Sequence, residues 1–242
     1  MKFYFSICLI FTLPIFGFSQ TKSNEEVKKI IPTLWLSILD KTNSDKTLNI
    51  KSLNYYQIPK DLDFKGIVVD AIKWNDKEGE KLVVLTMTGL FEAKEYGADS
   101  LNYILHNKSE IYAYLFLKKT NYDTYSKIWR MSESNDCYSD NWLTGFIPQS
   151  VTITDLDEDG ISELSLPYLL LCRTKNEPGK LKIIMYEGKD KYEVSGNTII
   201  NCNQPNTEKG VYTKSDNLSY RPVFSDYLKK RWNEQQCEQG RF

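Results

Sequence analysis

The sequence predicts a mainly β protein of the α+β class: an antiparallel meander of about eight strands in hairpins, flanked by an N-terminal and a C-terminal helix. Three observations carry this reading. From Gly66 onward, short runs rich in Val, Ile, Leu, Tyr and Phe recur, several of them alternating with polar residues. Compact turn sequences such as Asn75-Asp76-Lys77-Glu78-Gly79-Glu80 and Glu187-Gly188-Lys189-Asp190 separate these runs. Helix-like runs with apolar residues at spacings of three and four lie near the two ends of the chain.

Met1 to Ser19 reads as a leader. Lys2 supplies a short positive region, Phe3 to Phe16 is almost wholly apolar, and Gly17-Phe18-Ser19 offers small residues for cleavage. A run of about fourteen apolar residues interrupted by Pro14 is shorter than the roughly 20 a membrane span needs. The expected product is an exported single domain over residues 20–242 with no transmembrane segment, located in the periplasm, at the outer cell surface or in the medium.

Ser23-Asn24-Glu25-Glu26 is a capping box, in which hydroxyl and carboxylate each satisfy a free amide at a helix start. The helix it opens carries Val27, Ile30, Ile31, Leu34, Trp35, Ile38 and Leu39 on one side, with a kink or break at Pro32. Lys41 to Lys65 is a polar connector with one short strand around Leu53 to Ile58. Gly66 to Trp74 and Lys81 to Thr88 form the first hairpin, and Gly89 to Asn107 a longer mixed connection. Ile111 to Leu117 and Tyr125 to Met131 are the next pair. Tyr112, Tyr114 and Phe116 lie on one face and Ile111, Leu115 and Leu117 on the other, and a strand apolar on both faces belongs inside a sheet.

Cys137 to Phe146 reads as a loop. The third hairpin occupies Ser150 to Cys172, and Lys180 to Tyr186 with Tyr192 to Ser195 make the fourth. Gly196 to Tyr220 is polar and turn-rich. Pro222 then opens the last helix at a position where its missing amide costs nothing. Phe224, Leu228 and Trp232 make its apolar stripe, beside the charges Lys229, Lys230 and Arg231.

The third hairpin carries the most chemistry. Asp155, Asp157 and Asp159 fall at alternate positions, Gly160 follows, and Glu163 completes D-x-D-x-D-G-x-x-E. Calcium takes six to eight oxygen ligands, and alternate side chains of a tight turn can converge on it, joined here by the Ile161 carbonyl. An EF-hand is excluded: its twelfth loop position would be Leu166, followed by Pro167, and the flanks are β-like. Without a cation the four carboxylates would repel one another. A weak internal likeness sets Asp76-Lys77-Glu78-Gly79 beside Asp157-Glu158-Asp159-Gly160, with Trp74 and Leu82 where the outer acids would be.

Other classes of chemistry are excluded or undirected. With 31 basic against 32 acidic side chains and no basic stripe, nucleic acid is not an expected partner. The single histidine, His106, rules out a two-histidine zinc helix and sits in a polar stretch that reads as an exposed loop. There is no G-x-S-x-G elbow, phosphate loop or dinucleotide fingerprint. Glycoside hydrolysis needs only two carboxylates, which the sequence offers no means of choosing. Aromatics make up 13% of the chain, and Trp74, Trp129 and Trp142 lie beside or within the hairpins, as core residues or as platforms for sugar rings.

Beyond the leader the chain keeps four cysteines, Cys137, Cys172, Cys202 and Cys237, an even number that suits an oxidising compartment. Cys137 opens the loop leading into the acidic hairpin and Cys172 ends its second strand. Cys202 begins the last polar connection and Cys237 follows the C-terminal helix. These placements predict Cys137 with Cys172 and Cys202 with Cys237.

The acidic hairpin resembles the calcium loops of FG-GAP and VCBS repeats, with ligands at Asp155, Asp157, Asp159, Glu163 and the Ile161 carbonyl, and Glu at a last position where Asp is usual. A longer resemblance, over roughly Phe64 to Trp232, is to a family of exported Bacteroidota proteins catalogued under surface-polysaccharide biosynthesis. It rests on Phe64-Lys65-Gly66, Trp74-Asn75-Asp76, Asp136-Cys137 with Asp140, Thr154-Asp155-Leu156-Asp157 and Asp159-Gly160. It continues through Glu163, Cys172-Arg173, Pro178, Leu181-Lys182, Tyr186-Glu187-Gly188 and Lys191-Tyr192. The resemblance implies a role in making or presenting an outer-surface glycan and names no reaction. The leading expectation is a calcium-binding, non-catalytic cell-envelope protein that assists assembly of a surface polysaccharide or binds it, with a surface glycan or another envelope protein as partner. A carboxylate-based glycan-cleaving enzyme and a structural or adhesive protein are the alternatives.

Overall fold

A computed structural model describes residues 37–96, 102–121, 123–139, 141–173, 175, 177–203 and 210–238. The leader and all but the last residues of the expected first helix lie outside them. The described chain is mainly β: two antiparallel sheets of five and six strands and one α-helix.

The first sheet has the order β1-β2-β3-β4-β5, with β1 Lys51–Ser52, β2 Ile67–Asp76, β3 Gly79–Tyr96, β4 Tyr103–Lys118 and β5 Ser126–Cys137. The second runs β11-β10-β9-β8-β6. It comprises β6 Asn141–Phe146, β8 Glu163–Arg173, β9 Lys180–Glu187, β10 Asp190–Asn197 and β11 Tyr212–Lys214, with β7 Thr152–Thr154 also on β8. The single meander expected from the sequence is therefore two meanders, β2 to β5 and β7 to β10, packed face to face. Each sheet has apolar residues on both sides, so each can be covered twice.

Between the sheets lie Ile72, Trp74, Val83, Leu85, Ile111, Ala113 and Leu115 from the first and Ile153, Leu164, Leu166, Tyr168, Ile184 and Tyr186 from the second. The outer side of the first sheet packs Val68, Ala71, Val84, Tyr112, Tyr114 and Phe116 against Ile58, Leu62 and Phe64 of the preceding strap. The outer side of the second packs Leu169, Leu181, Ile183 and Met185 against the helix α1, Pro222–Gln235. Phe224, Leu228 and Trp232 of its stripe are fully buried, as the spacing predicts. Gly196 permits this contact, because a Cβ there would stand 2.2 Å from the Val211 carbonyl oxygen and 2.9 Å from Trp232.

Several elements differ from the sequence reading. Leu39 forms a β-bridge with Val151 and Ile38 is in no helix, so the first helix does not reach them. In the strap, β1 precedes a 3₁₀ turn at Tyr55–Gln57 where a strand over Leu53 to Ile58 was expected. Gly89 to Asn107 is mostly the far half of a long β3–β4 ribbon, paired from Leu90↔Ser109 to Tyr96↔Tyr103. The expected loop at Cys137 to Phe146 contains β6, paired with β8 from Asn141↔Arg173 to Phe146↔Tyr168.

β6 and β7 divide one edge of β8 between them, and the division falls at Pro167. Its carbonyl accepts the Ile147 amide at 3.1 Å, so the side of β8 on which proline lacks a donor faces the gap between the two short strands. Arg231, which the sequence sets among the charges beside the apolar stripe of α1, is buried. Its Nη2 donates to the Ser150 carbonyl at 2.6 Å and its Nη1 lies 3.2 Å from Asp40 Oδ2 and 2.7 Å from Glu234 Oε2.

The four described cysteines pair as Cys137–Cys172 and Cys202–Cys237, as the sequence predicts. The first joins the end of the first sheet's last strand to β8 of the second. The second fastens the chain just past α1 to the segment after β10, reinforced by the Ile199↔Cys237 bridge.

Candidate metal centre

The acidic loop connects β7 to β8 at one end of the second sheet. Glu158 (φ 58°) and Gly160 (φ +85°) take left-handed backbone there, which closes the turn. Asp155 Oδ2 accepts the Gly160 amide at 3.1 Å and Asp159 Oδ1 the Ile161 amide at 2.7 Å, so the loop is wound around its own carboxylates.

Two overlapping groups of acids result. Asp155, Asp157 and Asp159 offer carboxylate oxygens that all lie within 4.8 Å of one another, and Asp157, Glu163 and Glu187 do the same. Three of the expected side-chain ligands thus converge, and the fourth, Glu163, meets them through Asp157. Glu187 was not foreseen. Its signal is positional: it ends β9 directly across from Glu163, a pairing that appears only when the strands are in register.

Glu163 is fully buried. Its Oε2 accepts from the Thr154 hydroxyl at 2.9 Å and the Leu156 amide at 3.0 Å, while Oε1 has no partner among the described residues. Asp155 Oδ1 is likewise buried and unpartnered. Burial pushes the Glu163 carboxyl up to about 7, the neighbouring Asp157 charge adds to this, and the Leu156 amide and Thr154 hydroxyl oppose it. A buried carboxylate oxygen with no donor costs several kcal/mol unless a proton or cation meets it. The donor set is all oxygen, which fits a hard cation and not a thiophilic one.

One positive group already reaches the cluster. Arg221, immediately before α1, places Nη2 at 2.9 Å from Asp157 Oδ2 and 2.6 Å from Glu187 Oε1, with its guanidinium 4.2 Å from the centre of the Phe224 ring. Burial raises the Glu187 carboxyl, and Arg221 partly offsets this.

The other side of the loop is braced by the first sheet. Ser162 donates its hydroxyl (2.6 Å) and amide (3.0 Å) to Asp76 Oδ2 and accepts the Trp74 indole at 2.6 Å, while the Lys77 amide donates to the Gly160 carbonyl at 2.9 Å. Lys81 Nζ stands 2.5 Å from Asp76 Oδ2, both side chains buried. The two turns with the weak sequence likeness are therefore in contact, and the first holds a lysine against its acid.

Among the described residues the tryptophans do not form an exposed platform, and Trp142 is a half-buried residue of β6. Trp74 is in the core, Trp232 is buried under α1, and Trp129 stacks on Tyr186 with centroids 4.0 Å apart and donates to the Gly188 carbonyl. The most exposed rings among these residues are tyrosines: Tyr55, Tyr56, Tyr138 and Tyr220 singly or in the strap, and on the β3–β4 ribbon Tyr96 and Tyr103, which face each other at 5.9 Å and are each about half exposed. His106 is in β4 rather than an exposed loop. Its ring sits 5.4 Å from that of Tyr138 and its Nε2 lies 3.0 Å from Asp136 Oδ1.

A scan against protein-family models finds no match, and searches of curated proteins and of solved structures find no similar chain. Among the described residues no helix is long and apolar enough to cross a membrane.

Proposed function

We propose that this is an exported, non-catalytic cell-envelope protein that binds calcium at the β7–β8 loop and binds a surface polysaccharide or assists its assembly. The observation that carries the calcium reading is the pair of buried, unpartnered oxygens, Asp155 Oδ1 and Glu163 Oε1, at the two ends of an alternating acid loop. Asp155, Asp157, Asp159, Glu163 and the Ile161 carbonyl are the ligands, and the weak affinity of extracellular modules is expected, ~10⁻⁴ to 10⁻³ M. The two disulfides are compatible with an oxidising compartment. Support for a glycan comes from the exposed tyrosines of the β3–β4 ribbon. Tyr96, Tyr103 and Leu105 stand on one side of it, with the Lys94 ammonium 4.3 Å over the Tyr103 ring. Aromatic faces of this kind suit stacking on sugar rings.

The test is a glycan array probed with and without calcium, using the native protein and the variants Tyr96→Ala and Tyr103→Ala. Binding to surface-type polysaccharides that both variants lose at unchanged melting temperature is the expected result. No binding to any glycan, or release of shortened glycan from the array, overturns the reading.

A further inference from the structure

The cation site contains its own competitor. A cation held by Asp155, Asp157, Asp159 and Glu163 needs the Asp157 carboxylate, and that carboxylate is already paired with Arg221 at 2.9 Å. We propose that Arg221 is a tethered counter-charge that the cation displaces from Asp157, so that Arg221 sets the affinity of the loop and couples it to the start of α1. This inference rests on the reading of the loop as a divalent-cation site.

Three features argue for displacement over a permanent ion pair. First, Arg221 satisfies only part of the cluster: Asp155 Oδ1 and Glu163 Oε1 remain buried without a partner while it is in place. The planar fork of Arg221 is engaged with Asp157 and Glu187, whereas a spherical divalent ion accepts ligands from all directions. Second, Arg221 has somewhere to stay. Its shorter contact, 2.6 Å, is to Glu187, and its guanidinium lies over Phe224 at 4.2 Å and near Tyr192 at 5.9 Å. Giving up Asp157 leaves the guanidinium paired and stacked. Third, Glu187 stands across from Glu163, so Arg221 retained on Glu187 separates that charge from the ligand set.

Arg221 is followed at once by Pro222, the first residue of α1, and the helix is packed through Phe224, Leu228 and Trp232. Movement of the guanidinium is thereby transmitted to a ring that belongs to the core under the helix. Arg221 is a positioning residue in this scheme: it touches a ligand and never the ion.

The experiment is calcium titration by calorimetry of the native protein, Arg221→Gln and Arg221→Lys, combined with side-chain NMR of Arg221 in the native protein. Removing a positive charge from the neighbour of a divalent ion should tighten binding about tenfold or more in Arg221→Gln. Arg221→Lys, which keeps the charge but loses the fork, should fall between the two. In the native protein the Arg221 guanidinium resonances should shift along the same saturation curve as the loop amides of Asp157 to Gly160. If native protein binds calcium while Arg221→Gln binds equally or more weakly, or if the Arg221 resonances stay fixed while the loop amides shift, the inference fails and the cation site stands. If native protein and both variants all fail to bind, the site and the inference fail together. If Arg221→Gln does not fold, the NMR titration alone decides.

Discussion

Glu187 on β9 stands directly across from Glu163 on β8, two carboxylates side by side in a register whose other pairs on that face include Pro167↔Ile183 and Leu169↔Leu181. A sheet that sets like charges opposite each other at the end of an apolar face needs a positive group there. Arg221 serves Glu187, and Glu163 keeps one oxygen without a partner.

Calcium should therefore stabilise the fold modestly. At ~1 mM free ion and a dissociation constant of ~10⁻⁴ M, linkage gives about 1.4 kcal/mol, equivalent to a rise in Tm of roughly 3–6 °C for a chain of this size. Glu163→Gln should abolish the calcium response. Without calcium the variant should be at least as stable as native protein, because the amide removes a buried charge. Differential scanning calorimetry in chelator and in several millimolar calcium checks both statements, and an identical native Tm in the two conditions would refute the first.

Reduction should cost more than chelation. Each bridge spans a sequence separation of 35 residues, for which restriction of the unfolded chain is worth roughly 3 to 4 kcal/mol. Urea midpoints measured with a reductant and with a chelator should rank in that order. Peptide mapping without reduction should recover Cys137 linked to Cys172 and Cys202 to Cys237.

Lys81→Met should destabilise the protein by about 3–5 kcal/mol, because it leaves the Asp76 carboxylate buried without its ammonium. The double variant Lys81→Met, Asp76→Asn should recover much of that loss. Chemical denaturation of the two variants makes the comparison, and a Lys81→Met cost below about 1 kcal/mol would show the pair to be dispensable.

Acid should weaken the attachment of the C-terminus through Glu238. Burial raises this carboxyl, but the Thr198 hydroxyl, the Gly179 amide and Arg173 outweigh it and hold it below the ordinary glutamate value. A carboxylate depressed in the folded state contributes stability that is present above its unfolded pKa, about 4.3, and lost as the pH falls through the lower folded value. The difference in stability between native protein and Glu238→Gln should therefore be constant near neutrality and shrink below about pH 4. A difference that grows on acidification would reverse the assignment.

Local signals made much of this legible in the sequence. The double-sided apolar pattern from Ile111 to Leu117 places β4 inside its sheet, the Phe224, Leu228 and Trp232 stripe places α1, and the alternate aspartates place the loop. What escaped depends on contacts between distant residues. The far half of the β3–β4 ribbon mixes polar and apolar residues, pairing Glu92 with Asn107 and Glu95 with Ile104, so no regular apolar alternation announces it. Arg231 reads as a surface charge because its partner Asp40 is 191 residues away. Glu187 enters the acid cluster only through strand register, and the division into two sheets follows from β6 pairing with β8 rather than extending the first meander.

The two disulfides follow one another along the chain, with neither bridge enclosing a cysteine of the other. Of the three pairings four cysteines allow, one nests the loops, one interleaves them, and the one present keeps them independent. If the chain is exported N-terminus first, as proposed, the first bridge can close once Cys172 has emerged, before either cysteine of the second meets an oxidant. Order of arrival then favours the connectivity present over the nested and interleaved alternatives.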